Sequence, residues 1–515
     1  MTQAVIDERL ASARQALEAA QQDHVLTFFD QLHDAGKDRL LAEIESIDWP
    51  EVARLVRSHV LSKPLFTLPE QVEPAPWYPN TPADHQRPKY EQARQRGEEL
   101  IRARQVAAFT VAGGQGTRLG WDAPKGTFPA TPLRHLPLFA LFAEYLHKVQ
   151  SKYDTVTPWY IMTSPINDAD TRAFFHKYRY FGLDPANVMI FPQQMMPALD
   201  LQTGKVLLSA PDALALSPNG HGGSLKALAT SGALADMQKR GVQHISYIQV
   251  DNPLVKVIDP LFLGLHDLDR AQMSSKMLPK REALEKLGNF CLIDRKVTVI
   301  EYSDLPEALA RQTLPDGALR FRAGSIAIHA LRTDFVASLN DPAQGPGFRL
   351  PFHRAEKKVP FLDLNSGALI KPDRPNAVKL ETFVFDALPL ADVSIIYETD
   401  RLEEFAPIKN ADAPAGQPEA PDSPASSRRL QTERNARWLE QVGIDVPRLA
   451  AGDNSGENAG DGSGGSGGSG GSSGENSGGG VNAILEISPI TAIEPNDLDI
   501  EKLPARIKPG EHLVL

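Results

Sequence analysis

Between Ile6 and about Leu61, apolar residues recur at three- and four-residue spacing through "RLASARQALEAAQQDHVLTFFDQLHDAGKDRLLAEIESIDWPEVARLV". That spacing predicts amphipathic helices and a helical N-terminal region. The next stretch, "SKPLFTLPEQVEPAPWYPNTPADHQRPKY", concentrates proline, which removes backbone donors and predicts an ordered wrap or linker. Helices and wrap together are placed at residues 1–89. From Tyr90 the period changes. Apolar runs "VAAFTVAGG", "PWYIMTS", "NVMIFPQ" and "HISYIQVDN" alternate with helical stretches "LPLFALFAEYLHKVQSKY" and "SLKALATSGALADMQKRG". Such alternation predicts βαβ units and a mostly parallel sheet, an α/β fold. Later strand-like runs, "KVTVIEYS", "FRAGSIAIHAL" and "VSIIYETD", stand between irregular segments, so mixed strand direction and an inserted subdomain are expected there.

This second unit is placed at residues 90–451. From Gly452 to Gly480 the chain is almost wholly Gly, Ser, Asn and acid, a composition that predicts a disordered linker. Residues 481–515 return to β-prone runs, "VNAILEISPITAI" and "RIKPGEHLVL", and predict a small C-terminal β appendage.

A chain of 515 residues has room for two or three such units. Lys and Arg total 54 against 65 Asp and Glu, so the average field disfavours nucleic acid and anionic lipid. The single cysteine, Cys291, cannot form an internal disulfide and reads as a small buried hydrophobe. With no signal-like N-terminus and no long apolar run, a cytoplasmic protein without membrane contact is expected.

The candidate chemistry lies in "VAGGQGTRLGWDAPKG", Val111 to Gly126. Following a buried strand, this turn would leave the carboxyl end of a sheet, where ligands bind in open α/β folds. Glycines let amide groups approach phosphate oxygens, and Arg118 and Lys125 can neutralise the charge. A Walker loop is absent, and Gly114, Gly116 and Gly120 miss the dinucleotide spacing, which demotes a dinucleotide-dependent oxidoreductase.

Gly-x-Gly-Thr-Arg-Leu followed by Pro-Lys resembles the signature of nucleotide-sugar pyrophosphorylases. Downstream, "TSPINDADTRAFFHKYRYFGL", "FPQQMMPAL", "PNGHGG", "VDNPLVKVIDP", "FRAGSIAIH", "HRAEKKVPF", "IKPDRPNAVKLETFVFD" and "EFAPIKNAD" are similar, in order, to landmarks of the UDP-N-acetylhexosamine pyrophosphorylase family. The resemblance spans roughly Gln86 to Asp412. It implies a Rossmann-like, GT-A-like nucleotidyltransferase domain with a central mixed, mostly parallel sheet. It also implies a uridylyltransferase that joins UTP and a sugar 1-phosphate into a UDP-sugar and pyrophosphate, with Mg²⁺, acting as a monomer or homodimer.

Residue roles follow from the same match. Val111, Ala112, Gly113 and Gly114 correspond to the segment holding uracil and ribose. Arg118 corresponds to the arginine beside the departing pyrophosphate, and Lys125 and Lys379 to lysines contacting UTP. Gln194 and Gly220 correspond to uridine contacts. Asp251 corresponds to the Mg²⁺ ligand, Lys409 to the sugar-phosphate lysine, and Gly288 and Glu301 to the sugar pocket. Arg354, Lys357 and Lys358 form a basic cluster open to either a functional or a plain surface role.

Two positions depart from the family. His221 stands in Gly-His-Gly-Gly and Ser325 in Ala-Gly-Ser-Ile-Ala, where the family carries asparagine. These groups offer different hydrogen bonds from an amide. Gly-His-Gly is similar to UDP-glucose and broad UDP-sugar pyrophosphorylases, so glucose 1-phosphate competes with N-acetylglucosamine 1-phosphate. His221 can equally be a packed, hydrogen-bonded wall residue. A non-catalytic UDP-sugar-binding regulatory protein is the alternative of a different class.

Overall fold

A computed structural model describes residues 3–63, 68–69, 71–341, 343, 348–449 and 480–515. Ten strands form a mixed central sheet among the described residues. They are β1 (Glu73–Pro74), β2 (Val106–Val111), β3 (Trp159–Thr163), β4 (Val188–Pro192) and β5 (His244–Gln249), followed by β6 (Met273–Pro279), β7 (Gly288–Ile293), β8 (Lys296–Ile300), β9 (Ala323–Arg332) and β10 (Ser394–Glu398). The main path runs β1-β7-β9-β5-β2-β3-β4, with β6 joining β9 to β10 and β8 beside β7.

The half built from β5, β2, β3 and β4 is parallel. Its strands read as unbroken apolar runs because helices cover both faces. On β2, Ala108 joins a core with Phe139, Phe142 and Ile248, while Ala107 and Phe109 join a second core with Tyr247 and Leu225. The other half is mixed, as expected: β5–β9, β7–β9, β7–β8, β6–β9 and β1–β7 are antiparallel and β6–β10 is parallel.

Beneath the sheet, the helices Arg87–Arg102 and Pro260–Leu268 meet backbone to backbone. A Cβ at Gly97 would lie 1.7 Å from the Pro260 carbonyl oxygen, and one at Gly264 would lie 1.6 Å from that of Ala93. The N-terminal helices Gln3–Ala19, Asp34–Glu45 and Trp49–Leu55 form as the periodicity predicts. Leu17, Leu40 and Val52 share a core with Leu199, Val378 and Leu380. The last three come from a separate three-stranded sheet of Leu199–Asp200, Ala377–Glu381 and His353–Lys357. The proline-rich stretch also enters the central sheet. Glu73–Pro74 pairs with β7, and Tyr78 exchanges backbone hydrogen bonds with Ile396 and Glu398 of β10.

The expected linker falls outside the described residues, apart from Gly480 at its end. Beyond it, Ala483–Glu486 pairs in parallel with Glu511–Val514. Leu485 and Ile487 pack with Trp438 and Leu439 of the helix Pro424–Gln441. Ion pairs Arg94–Glu494 and Lys152–Asp497, both at 2.5 Å, fasten this segment to helices of the central domain. No described helix is long and apolar enough to cross a membrane.

Candidate active site

The register of the parallel half brings two loops together. Val111 at the end of β2 lies opposite both Gln249 of β5 and Met162 of β3, so the glycine turn and Asp251 emerge side by side. The turn is held by its carbonyls. Asn167 Nδ2 donates to Ala112 and Gly114 (3.0 and 3.1 Å), Ser164 Oγ to Gly113 (2.9 Å), and the Lys125 amide to Gly114 (3.1 Å). The amides of Gly113 and Gly114 have no protein acceptor among the described residues, and a Cβ at Gly114 would meet open space. That is the state of a turn whose donors serve something outside the chain.

Lys125, at the start of the 3₁₀ turn Lys125–Thr127, places Nζ 3.4 Å from Asp251 Oδ2, with both side chains largely buried. The Asp251 carbonyl accepts from the amide of Ile408 (2.8 Å), which brings Lys409 to the same place. Asn252 fastens that junction. Its amide nitrogen donates to the Glu404 carbonyl (2.7 Å), and its amide oxygen accepts from Ala406 N (3.0 Å). Glu404 is in turn held by the fully buried Lys276.

Below this corner opens a cleft of roughly 240 Å³ lined by His221, Asp251, Gly288, Glu301, Ser325 and Lys409, among others. Gly288 and Ser325 are register partners, and a Cβ at Gly288 would lie 3.6 Å from Glu301 Oε1. Four consecutive residues, Ser325 to Ile328, reach the cleft because Ala327 has φ 56°. A regular strand would present only alternate ones. Such left-handed backbone is strained for alanine and clusters at functional clefts.

Half-buried His221 packs against Phe383 and Phe385, with ring centroids at 5.3 and 5.6 Å. Burial, and secondarily the nearby His353, pushes its pKa down to about 4. Its Nδ1 accepts from the Val384 amide at 3.1 Å, so the ring is neutral at pH 7 and carries its proton on Nε2. Burial raises the Glu301 carboxyl; Asp304 and Asp386 raise it further, and His353 opposes them. His353 pairs with Asp386 at 2.7 Å.

The model of the UTP–glucose-1-phosphate uridylyltransferase family matches residues 77–413, a span that holds the turn, Asp251 and the whole cleft. The chain belongs to this family. It is 36% identical to the mouse UDP-N-acetylhexosamine pyrophosphorylase-like protein 1, with 86% of this chain and 88% of that protein covered. It is 36% identical to the UDP-N-acetylglucosamine pyrophosphorylase of Saccharomyces cerevisiae, over 68% and 73% of the two. A Trypanosoma brucei uridine diphosphate N-acetylglucosamine pyrophosphorylase structure shares the fold, with TM-score 0.74, 24% identity and 97% of each chain covered.

Within this member of the uridylyltransferase family, the sequence-predicted residues fall into two groups. One cleft gathers His221, Asp251, Gly288, Glu301, Ser325 and Lys409, with Lys125 paired to Asp251 and Val111–Gly114 alongside. Arg118, Lys379, Gln194 and Gly220 do not line that cleft. Arg118 is exposed on the turn Thr117–Leu119, and neither it nor Lys379 has an ion-pair partner among the described residues. Lys379 lies opposite Ala355 in the three-stranded sheet, between Val378 and Leu380, which face the N-terminal core. Gly220 has φ 61°, and a Cβ there would lie 2.4 Å from the Thr382 carbonyl oxygen. Its need for glycine is met by the backbone alone.

Of the glutamine pair, the residue packed against the glycine turn is Gln193. Its side chain is buried, Nε2 would lie 3.0 Å from a Cβ on Gly113, and Oε1 has no partner. Gln194 is half-buried. The alternation of β4, continued from buried Phe191 to Gln193, was the available signal. Asn252 and Lys276 were missed as well.

Proposed function

We propose that this protein transfers the uridylyl group of UTP to a sugar 1-phosphate, releasing pyrophosphate. The sugar phosphate oxygen bonds to the α-phosphorus while the bond from that phosphorus to the oxygen of the β-phosphate breaks, and pyrophosphate carries the electron pair away. The observation that carries this reading is the pairing of Lys125 with Asp251 beside free turn amides, directly above a cleft that ends on Lys409. Catalysis then rests on orienting two anions and offsetting charge at the transferred phosphate, which calls for no protein nucleophile. In this reading Val111–Gly114 and Gln193 hold the uridine, Lys125 and Arg118 meet the triphosphate, Lys379 contributes a further cation, and Lys409 meets the sugar phosphate.

Asp251 is the carboxylate suited to Mg²⁺. A cation, the Lys125 ammonium, already lies 3.4 Å from it, and Mg²⁺ commonly takes one or two protein carboxylates, with phosphates and water completing its shell. In this reading the oxygens of the substrate and water would complete the shell of an ion held by Asp251. When bound, the ion would draw charge from the α-phosphate oxygens.

N-acetylglucosamine 1-phosphate is the proposed sugar, by similarity to the relatives named above, with glucose 1-phosphate second. A neutral Nε2–H donor on His221 favours the second, since it presents one donor where an amide presents a donor and an acceptor. The protein is taken to act in the cytoplasm as a monomer or homodimer.

The test is pyrophosphate release from UTP, Mg²⁺ and N-acetylglucosamine, N-acetylgalactosamine, glucose or galactose 1-phosphate. At least one should react, and Asp251→Ala should lower kcat by about 10²–10³. Silence across the panel with tight UDP-sugar binding by calorimetry would instead support a UDP-sugar-binding regulator.

A further inference from the structure

Glu486 ends the strand Ala483–Glu486 in the C-terminal segment and is buried. One carboxylate oxygen accepts from the backbone amides of Leu133 (2.8 Å) and Arg134 (2.9 Å), and the other from Arg134 Nε (2.6 Å). The remaining Arg134 nitrogens bind Glu144 of the helix Leu138–Tyr153 at 2.8 and 2.9 Å, and Ser488 Oγ donates to that same Glu144 (2.9 Å). Charge-assisted bonds of this kind are among the stronger ones available to a protein.

Leu133 and Arg134 form the tip of a loop whose neck carries Lys125. Ala130 N donates to Leu136 O (2.8 Å), Leu138 N to Phe128 O (3.2 Å) and Phe128 N to Lys125 O (3.0 Å). A Cβ at Gly126 would lie 2.2 Å from the Phe139 ring, so the turn after Lys125 sits flush on the helix that Arg134 grips. A displacement at the tip therefore reaches the lysine through a short chain of hydrogen bonds and close packing.

We propose that Glu486 is a positioning residue: through Leu133 and Arg134, the docked C-terminal segment sets where Lys125 meets Asp251 and the nucleotide. This rests on the uridylyl-transfer reading for what Lys125 touches. The segment is fastened a second time by Glu494, which pairs with Arg94 of the helix Arg87–Arg102 and with Lys152 at the far end of the helix Leu138–Tyr153, neither of them in the Lys125 loop. That second clasp separates loss of docking from loss of positioning.

The experiment measures UTP affinity with Mg²⁺ by calorimetry, alongside turnover, in the full-length protein and in Glu486→Ala, Glu486→Gln and Glu494→Gln. Glu486→Ala should weaken UTP binding about tenfold, since small misplacements of a binding group are costly. Glu486→Gln should keep affinity within about twofold of the parent, because its amide oxygen still accepts from both backbone amides. Glu494→Gln should bind like the parent, and Glu486→Ala should add nothing on a Lys125→Ala background. Should Glu486→Ala fail to fold by circular dichroism, Glu486→Asp draws the carboxylate back by one methylene and should show the same change in smaller degree. Parental affinity in Glu486→Ala, an equal loss in Glu494→Gln, or losses that add to Lys125→Ala would overturn the proposal. A parent that binds UTP but turns over no sugar phosphate would sink the catalytic reading while leaving the Glu486 comparison valid.

Discussion

Replacing Lys276 with methionine removes a charge from the interior at nearly constant side-chain length. Its Nζ donates to Asp259 Oδ2 at 2.6 Å and to the two Glu404 oxygens at 2.6 and 2.7 Å, with no solvent exposure of the lysine. Burial alone would raise the Asp259 carboxyl, but Lys276 and Lys256 outweigh it and hold it well below the usual carboxylate range. Without Lys276, two buried carboxylates lose the ammonium they share, a change that costs about 3–5 kcal/mol. Unfolding entropy of about 2 cal/mol/K per residue gives a chain of 515 residues roughly 1 kcal/mol/K, so melting should fall by about 3–5 °C. A depressed carboxyl stabilises the fold above its unfolded value near 3.8 and loses that contribution as pH falls through the folded one. In Lys276→Met the Asp259 carboxyl loses the main cation that depresses it, so the gap from the parent should narrow as pH falls below the usual carboxylate range. Scanning calorimetry of both proteins at about pH 7 and about pH 3 reads this. A gap under about 1 °C at the higher pH, or an equal gap at both, would refute the reasoning.

Three further outcomes are expected. Gly264→Ala forces a methyl into the Ala93 carbonyl across the helix crossing, and its urea midpoint should report a loss of about 3 kcal/mol; a midpoint like the parent's would show that the helices separate freely. His221→Asn puts an amide in the cleft proposed to take the sugar and should shift the kcat/KM ratio toward N-acetylhexosamine 1-phosphates by about tenfold, while an unchanged ratio would remove His221 from sugar choice. Burial lowers the His353 pKa, but Asp386 and neighbouring acids outweigh it and leave the pKa raised above 6.5. Its contribution to stability is therefore full below about pH 6.5 and lost as pH rises through the folded value. Melting of His353→Gln should trail the parent at pH 6 and converge with it at about pH 9, and a gap that widens with pH would reverse the sign.

The parallel half was readable because β2 to β5 are buried on both faces, and such strands show as plain apolar runs. The glycine turn and Asp251 follow the ends of two of them, and the family resemblance singled out Lys125 and Asp251 there, which the structure pairs. Other features leave no local trace. Lys276 in "SSKMLP" looks like any exposed lysine, and its burial depends on Asp259 and Glu404, the latter 128 positions away. The left-handed Ala327 hides within an ordinary β-prone run, although it decides which residues line the cleft. Choosing Gln193 over Gln194 required knowing where β4 stops alternating. Glu486 looked like one acid in a short appendage, because its partners lie about 350 positions earlier in the chain.

The two ends of the main strand path are β1, only two residues long, and β4, and each closes on a proline, Pro74 and Pro192. An imide nitrogen has no hydrogen to offer an incoming strand, and two residues give too little ladder to template one. An incoming strand therefore finds few donors at these two positions. The branch of the sheet that ends without a proline on a strand paired with β7 alone is β8, so any growth of the sheet from copy to copy would be directed there.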